Sequence, residues 1–149
     1  MKPYPPVLEE LAAVLGTRRN ANNRQSNVAT GTVRADGDKV NVGGALCELI
    51  VLDALSKSGH KFVANNIFED GFVKGPDFII DYQRYDIKQV TGDELRVNEK
   101  SHRDLKADVY AFVKVDQKSH SYERWIVPWE DVEGWDMRTV HSPFRYKKI

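Results

Sequence analysis

Eight residues separate Asp77 from Asp86, and Lys88 follows Asp86 after a single isoleucine. All three charges fall in segments whose pattern otherwise reads as buried β-strand, Phe78-Ile79-Ile80 and Tyr85 to Val90. Charge in apolar surroundings is costly unless it is paired or bound to a metal. Two neighbouring carboxylates repel, and a hard cation that prefers oxygen relieves the repulsion. Magnesium suits one or two carboxylates together with phosphate oxygens and retained waters. The chemistry this suggests is hydrolysis of a phosphate ester, in which the ion polarises the phosphoryl group and lowers the pKa of bound water. The backbone carbonyl of Ile87 is a further candidate oxygen. Lys88 would orient or deprotonate the attacking water, or steady charge on the phosphoryl oxygens. Beside a cation and an apolar sheet its pKa is expected to fall.

For these groups to act together they must share a face. Strands Asp77–Asp81 and Arg84–Val90, joined by a two-residue turn at Tyr82-Gln83, set Ile79 opposite Asp86 and Asp77 opposite Lys88. Opposed residues share a face, as do alternate residues along a strand. Asp77, Asp86 and Lys88 then converge, while Phe78, Ile80, Ile87 and Gln89 point the other way. A three-residue turn would shift the pairing by one and break that result. Glu48 adds a third acid among Ala45, Val51, Leu52 and Leu55, and glutamate is rarely buried without a partner. It either joins the site, receiving a metal-bound water or a second ion, or pairs at the rim with an arginine or lysine.

The elements that must hold these residues are read from periodicity. Val7, Leu8, Leu11, Ala12, Val14 and Leu15 predict a short helix ending at Gly16, followed by a basic loop over 17–27. Gly31 to Val42 predicts a hairpin about Asp36-Gly37. Ala45 to Ser58 is apolar nearly all round, as a core helix is, and Gly59 ends it. Phe62 to Phe68 predicts a strand, Thr91 to Lys100 a polar loop, and Ser101 to Ala107 a helical turn capped by Ser101. Val109–Val115 and Tyr122–Val127 predict strands, and Pro128 to Val132 a short helix.

The chain has 149 residues, enough for one domain with a real core. We expect an N-terminal part at 1–43, a core at 44–127 and a basic extension at 128–149. Its 22 basic and 22 acidic residues argue against gripping nucleic acid by bulk charge, leaving local basic surfaces. Cys47 is the only cysteine, which excludes a disulfide framework and a cysteine metal cluster. His60, His102, His120 and His141 lack zinc-ligand spacing. No run reaches membrane-spanning length and the N-terminus has no signal core, so a cytoplasmic protein without membrane contact is expected.

Glu48, then Pro76-Asp77, then Asp86-Ile87-Lys88, in that order, resembles the catalytic signature of the PD-(D/E)xK nuclease superfamily, over roughly 44–115. The resemblance implies an α/β fold with a restriction-endonuclease-like core, a central mixed β-sheet flanked by helices. It implies that Asp77 and Asp86 hold magnesium (or manganese as substitute), with the Ile87 carbonyl as a further ligand. Lys88 would serve the hydrolytic water and Glu48 complete the acidic set. The function implied is a magnesium-dependent endonuclease that hydrolyses DNA phosphodiester bonds to leave a 5′-phosphate. Double-strand cleavage would call for a homodimer. The alternatives are an RNA-directed nuclease and a nucleic-acid-binding or assembly protein that keeps the fold without the reaction.

Two sets of cations are candidate phosphate contacts: Arg18, Arg19, Arg24, Arg34 and Lys39 in the N-terminal part, and Arg138, Arg145, Lys147 and Lys148 near the C-terminus. His102 and Arg103 join them. Such residues position a nucleic-acid backbone without reading bases, and read blandly they are ordinary solvated surface. Trp125 is expected to pack in its strand, and Trp129 and Trp135 to cover the core or an interface.

Overall fold

A computed structural model describes residues 1–25, 37–64, 75–105 and 107–149, with side chains omitted at 23–25, 37, 38 and 105. The chain folds as mixed α/β: two long helices pack on one face of a six-stranded sheet, and a three-stranded sheet with two short helices lies on the other. No described helix is long and apolar enough to cross a membrane.

After β1 (Lys2–Pro3), α1 runs from Val7 to Gln25. It opens where Leu8 and Glu9 donate backbone N–H groups to the carbonyls of Pro5 and Pro6, with Glu9 and Glu10 favourably placed in the first turn. The helix does not stop at Gly16, and 17–25 is helical, not loop. A Cβ at Gly16 would lie 2.4 Å from the backbone of Val42. This glycine therefore lets α2 approach, and that packing overrides its usual role as a terminator. The second helix, α2, spans Gly37–Ser58. Gly37, expected in the hairpin turn, and Asp38 to Val42, expected as its second strand, form the first turns of α2, and 31–36 lies outside the described residues. The local alternation at Val40 and Val42 also fits a helix face, and contact with α1 selects the helix. Asn41 and Asn20, both buried there, face each other across the pair, with Asn41 Nδ2 donating to Asn20 Oδ1 at 3.5 Å.

β2 (Phe62–Ala64), β3 (Phe78–Ile80) and β4 (Gln83–Gln89) form an antiparallel meander. The strand expected over 62–68 is described only to Ala64. β5 (Glu94–Asn98) follows, where a loop was expected: Leu95 and Val97 are buried while Glu94, Arg96 and Asn98 alternate with them. Then come α3 (Glu99–Leu105), β6 (Val109–Asp116), β7 (Ser121–Pro128), α4 (Trp129–Val132), β8 (Asp136–Thr139) and β9 (Pro143–Lys148). The large sheet has the order β1-β7-β6-β4-β3-β2. Among the described strands only β4 and β6 pair in parallel, with β5 and α3 forming the crossover that a parallel pair requires.

The small sheet, β5-β9-β8, joins 94–98 to 136–148, so the C-terminal segment is woven back onto the core region. One apolar core lies under α1 and α2, built on Leu46, Ile50, Phe78 and Val113. The second, on the opposite face, is built on Leu95, Val97, Phe112 and Val132, with Trp125, Trp129 and Trp135 packed against it.

Candidate functional site: an acid cluster at the β3–β4 hairpin

The hairpin turn is Asp81-Tyr82, both with positive φ (48° and 68°), one residue earlier than expected. Positive φ at both central residues matches the twist of the flanking strands, and aspartate tolerates it better than most residues. The register is therefore Phe78↔Tyr85 and Ile79↔Arg84. The turn still contains two residues, so parity survives the shift. Asp77 now falls beside Asp86 instead of Lys88.

Ile87 packs into the helix-side core, so its neighbours Asp86 and Lys88 emerge on the other face. Their partners across the parallel pair are Tyr110 and Phe112, both in the second core. Gln89 turns back to the helix side, where its amide fills the space a Cβ at Gly43 would need. Asp77 is tied to the hairpin twice: its N–H donates to the Tyr85 carbonyl at 3.0 Å, and its Oδ2 accepts the Ile87 N–H at 2.7 Å.

Asp77 and Asp86 are both buried, at 9 % and 7 % exposure. Lys88 Nζ stands 2.9 Å from Asp86 Oδ2. Besides this ion pair, buried Asp86 Oδ2 has no further hydrogen-bond partner among the described residues. From α2, Glu48 comes within hydrogen-bonding reach of Asp77 and its charge acts on Asp86. Arg19 of α1 donates to Glu48 Oε2 at 2.9 Å. The two readings left open for Glu48 thus coincide: it is paired with an arginine and it stands at the acid cluster.

The electrostatics follow from burial. Asp77 is pushed up to about 8, first by burial, then by the charges of Asp86 and Glu48; the Ile87 N–H pulls the other way. Burial also raises Glu48, against the pull of Arg19. For Lys88 burial disfavours the ammonium, but Asp86 and Asp77 outweigh it and hold the pKa above its ordinary value. The fall expected for Lys88 presumed a neighbouring cation; among the protein groups alone the acids reverse it.

No three His, Cys, Asp or Glu side chains among the described residues are spaced to ligate one ion as they stand. Two of the acids are engaged by Arg19 and Lys88. The donor set nevertheless suits a hard divalent cation. Magnesium needs only one or two carboxylates besides water, Asp86 Oδ2 is a buried oxygen held by the Lys88 ion pair, and Asp77 holds a proton that a cation would replace.

The remaining candidates are dispersed. Arg18 and Lys39 are exposed on α1 and α2; Arg24 lies in α1 without a described side chain, and Arg34 lies outside the described residues. His102 is fully buried: Nδ1 contacts the Tyr110 hydroxyl and Nε2 contacts Glu133 Oε1, each at 2.7 Å, and its ring stacks on Trp129. A side chain so enclosed does not present itself to a phosphate. Arg103 bridges Glu99 and Glu133, while Arg145 pairs with Glu99 at 2.6 Å and donates to the Glu133 carbonyl. These two arginines lock α3 to the segment around Glu133 and to β9, so their first role is structural. Arg138 pairs with Glu94, and Lys147 and Lys148 are exposed on β9.

Sequence reasoning grouped Arg19 with phosphate contacts and missed its place beside Glu48. It also missed the Tyr110–His102–Glu133 chain. A tyrosine in the fully apolar run Val109–Val113 was the available signal, since a buried hydroxyl needs a partner. No family model, curated protein or solved structure matches this chain.

Proposed function

We propose that this chain is a divalent-metal-dependent endonuclease of the PD-(D/E)xK type, with a restriction-endonuclease-like core and DNA as substrate. The observation that carries the reading is the convergence of Glu48, Asp77, Asp86 and Lys88 in one buried cluster, with Lys88 ion-paired to Asp86. The order of elements supports it: α2 with Glu48, β2, β3 after Pro76-Asp77, β4 with Asp86-Ile87-Lys88, and α3 before a β6 parallel to β4.

Asp77 and Asp86 would hold magnesium, with the Ile87 carbonyl and Glu48 completing the oxygen set. When bound, the ion supplies charge that polarises the scissile phosphate and acidifies water. Asp77 must give up its proton for this, so metal affinity rises with pH toward about 8. Lys88, kept as an ammonium by Asp86, orients the water and offsets charge growing on the phosphoryl oxygens. Arg19 opposes the burial that raises the Glu48 carboxyl and so favours its ionised form. A duplex offers two strands to one acid cluster per chain, so cleavage of both calls for a homodimer.

The test is incubation of linear, supercoiled, branched and single-stranded DNA, and of RNA, with magnesium or with chelator. Cutting of DNA that requires magnesium and is lost in Lys88→Ala is expected. Absence of magnesium-dependent cutting in every substrate, or full activity in Lys88→Ala, would overturn the proposal. Cutting confined to RNA would move the substrate and keep the site.

A further inference from the structure

The outward face of the small sheet carries aromatic rings and guanidiniums in contact. Leu95 and Val97 point into the second core, so alternation turns Arg96 outward on β5. The register sets Tyr146 opposite Arg96 and Phe144 opposite Arg138, and opposed residues share a face. Among the described residues, neither Phe144 nor Tyr146 packs in either apolar core. The arginines lie against them instead. The Arg96 guanidinium carbon is 4.9 Å from the Phe144 ring centre, and that of Arg138 is 5.1 Å from Phe144 and 4.5 Å from Tyr146. Glu94 ties both guanidiniums in place, at 2.9 Å to Arg96 and 2.8 Å to Arg138.

The charges on this face differ in depth. The Glu94 side chain is 9 % exposed, while those of Arg96 and Arg138 are 56 and 39 % exposed. Positive charge therefore meets solvent, and the acid lies beneath it. Exposed Lys148, opposite Glu94, adds to that charge, and exposed Asp136, opposite Tyr146, subtracts from it at the β8 edge.

This arrangement selects the occupant. A guanidinium is planar and weakly hydrated, so one of its faces stacks on a ring and the other is left for a second π-system. A sheet face of rings and guanidiniums takes unpaired bases on its planes and their phosphates on its cations. A duplex keeps its bases stacked inside and offers those planes nothing. We propose that the outer face of β5-β9-β8 is a binding platform for single-stranded DNA. Phe144, Tyr146 and the two arginines are its stacking planes, and Lys148 is a phosphate contact. The choice of DNA rests on the nuclease reading; the stacking does not. No more than about 21 Å of extended chain joins Lys88 to Glu94, so a strand on the platform reaches the acid cluster within a short span. The substrate class that follows is DNA with an unpaired segment beside the point of cleavage.

The test is fluorescence anisotropy of the full chain with a labelled thymidine oligonucleotide of about 15 nucleotides, long enough to fill one platform. Chelator keeps the strand uncut, and the salt concentration is held fixed because phosphate contacts depend on it. Saturable binding is expected, at least about tenfold tighter than to a duplex of the same length. Tyr146→Leu should weaken it about tenfold, the effect of one lost stacking plane, while Tyr146→Phe keeps the ring and should stay within about twofold. Arg138→Lys keeps the charge but loses the plane, and should weaken binding about fivefold. Unchanged circular dichroism shows that each variant folds, and Arg138→Lys decides the matter if Tyr146→Leu does not. No binding, equal affinity for duplex and single strand, or an unchanged constant in Arg138→Lys and folded Tyr146→Leu would overturn the platform. Tighter binding of the matching uridine RNA would overturn DNA as its occupant. Selective binding without magnesium-dependent cutting sinks the nuclease reading alone, and cutting without selective binding sinks the platform alone.

Discussion

Replacing Asp77 with asparagine isolates the cost of packing acids together without a cation. The folded protein holds the Asp77 proton up to about pH 8, against an ordinary value of 3.8. Between those values the folded state binds more protons than the unfolded chain, so stability falls as pH rises. Below the lower value both states are protonated and the penalty is absent; above the upper value it is complete. At 1.36 kcal/mol per pH unit the full penalty reaches on the order of 5 kcal/mol, comparable with the whole stability of a small domain. Glu48, also raised, adds a slope of the same sign. Lys88 is raised too, but its contribution is lost only above its ordinary 10.5, outside this window. Urea unfolding in chelator, from about pH 4.5 to about 8.5, reads the difference as a shift in midpoint. The wild type is expected to lose on the order of 5 kcal/mol across the range, and Asp77→Asn to lose much less and become the more stable protein at the alkaline end. Adding magnesium at high pH should recover the wild-type loss by binding the folded state alone. Parallel curves for wild type and Asp77→Asn would refute the crowding of these carboxylates.

Gly16→Ala should destabilise by about 1–3 kcal/mol through overpacking, since its Cβ would meet the Val42 backbone at 2.4 Å. Helix propensity alone would favour alanine by about 1 kcal/mol, so a raised melting temperature would contradict the close α1–α2 crossing. Arg19→Met removes the cation from buried Glu48 and is expected to cost about 3–5 kcal/mol at pH 8, less near pH 5 as Glu48 takes up a proton. Urea midpoints at the two pH values check this, and an equal cost at both would separate Arg19 from Glu48.

What the sequence made legible was the part whose physics is local or periodic. The strands β6 and β7 are strongly apolar or alternating, and the core stretch of α2 has no competing pattern. The shared face of Asp86 and Lys88 follows from the period of two alone. Convergence with Asp77 survived a misplaced turn because the loop still held two residues. Other features were set by distant contacts. Gly16 terminates a helix in isolation but serves here as the point where α2 crosses α1. Asp36-Gly37 is a strong turn pair, yet Gly37 begins a helix whose first turns pack on α1. β5 was hidden because three of its five residues are polar, and its burial comes from pairing with β9, some fifty residues away. Arg19 met Glu48 only once α1 was long enough to carry it there.

The central claim is that Glu48, Asp77 and Asp86 bind a divalent cation through Asp86, and calorimetric titration with manganese at pH 8 tests it most directly. Wild type should give a saturable isotherm, with affinity at least about tenfold weaker, about 1.4 kcal/mol, in Asp86→Asn. No binding by the wild type, or the same affinity in Asp86→Asn, would contradict it.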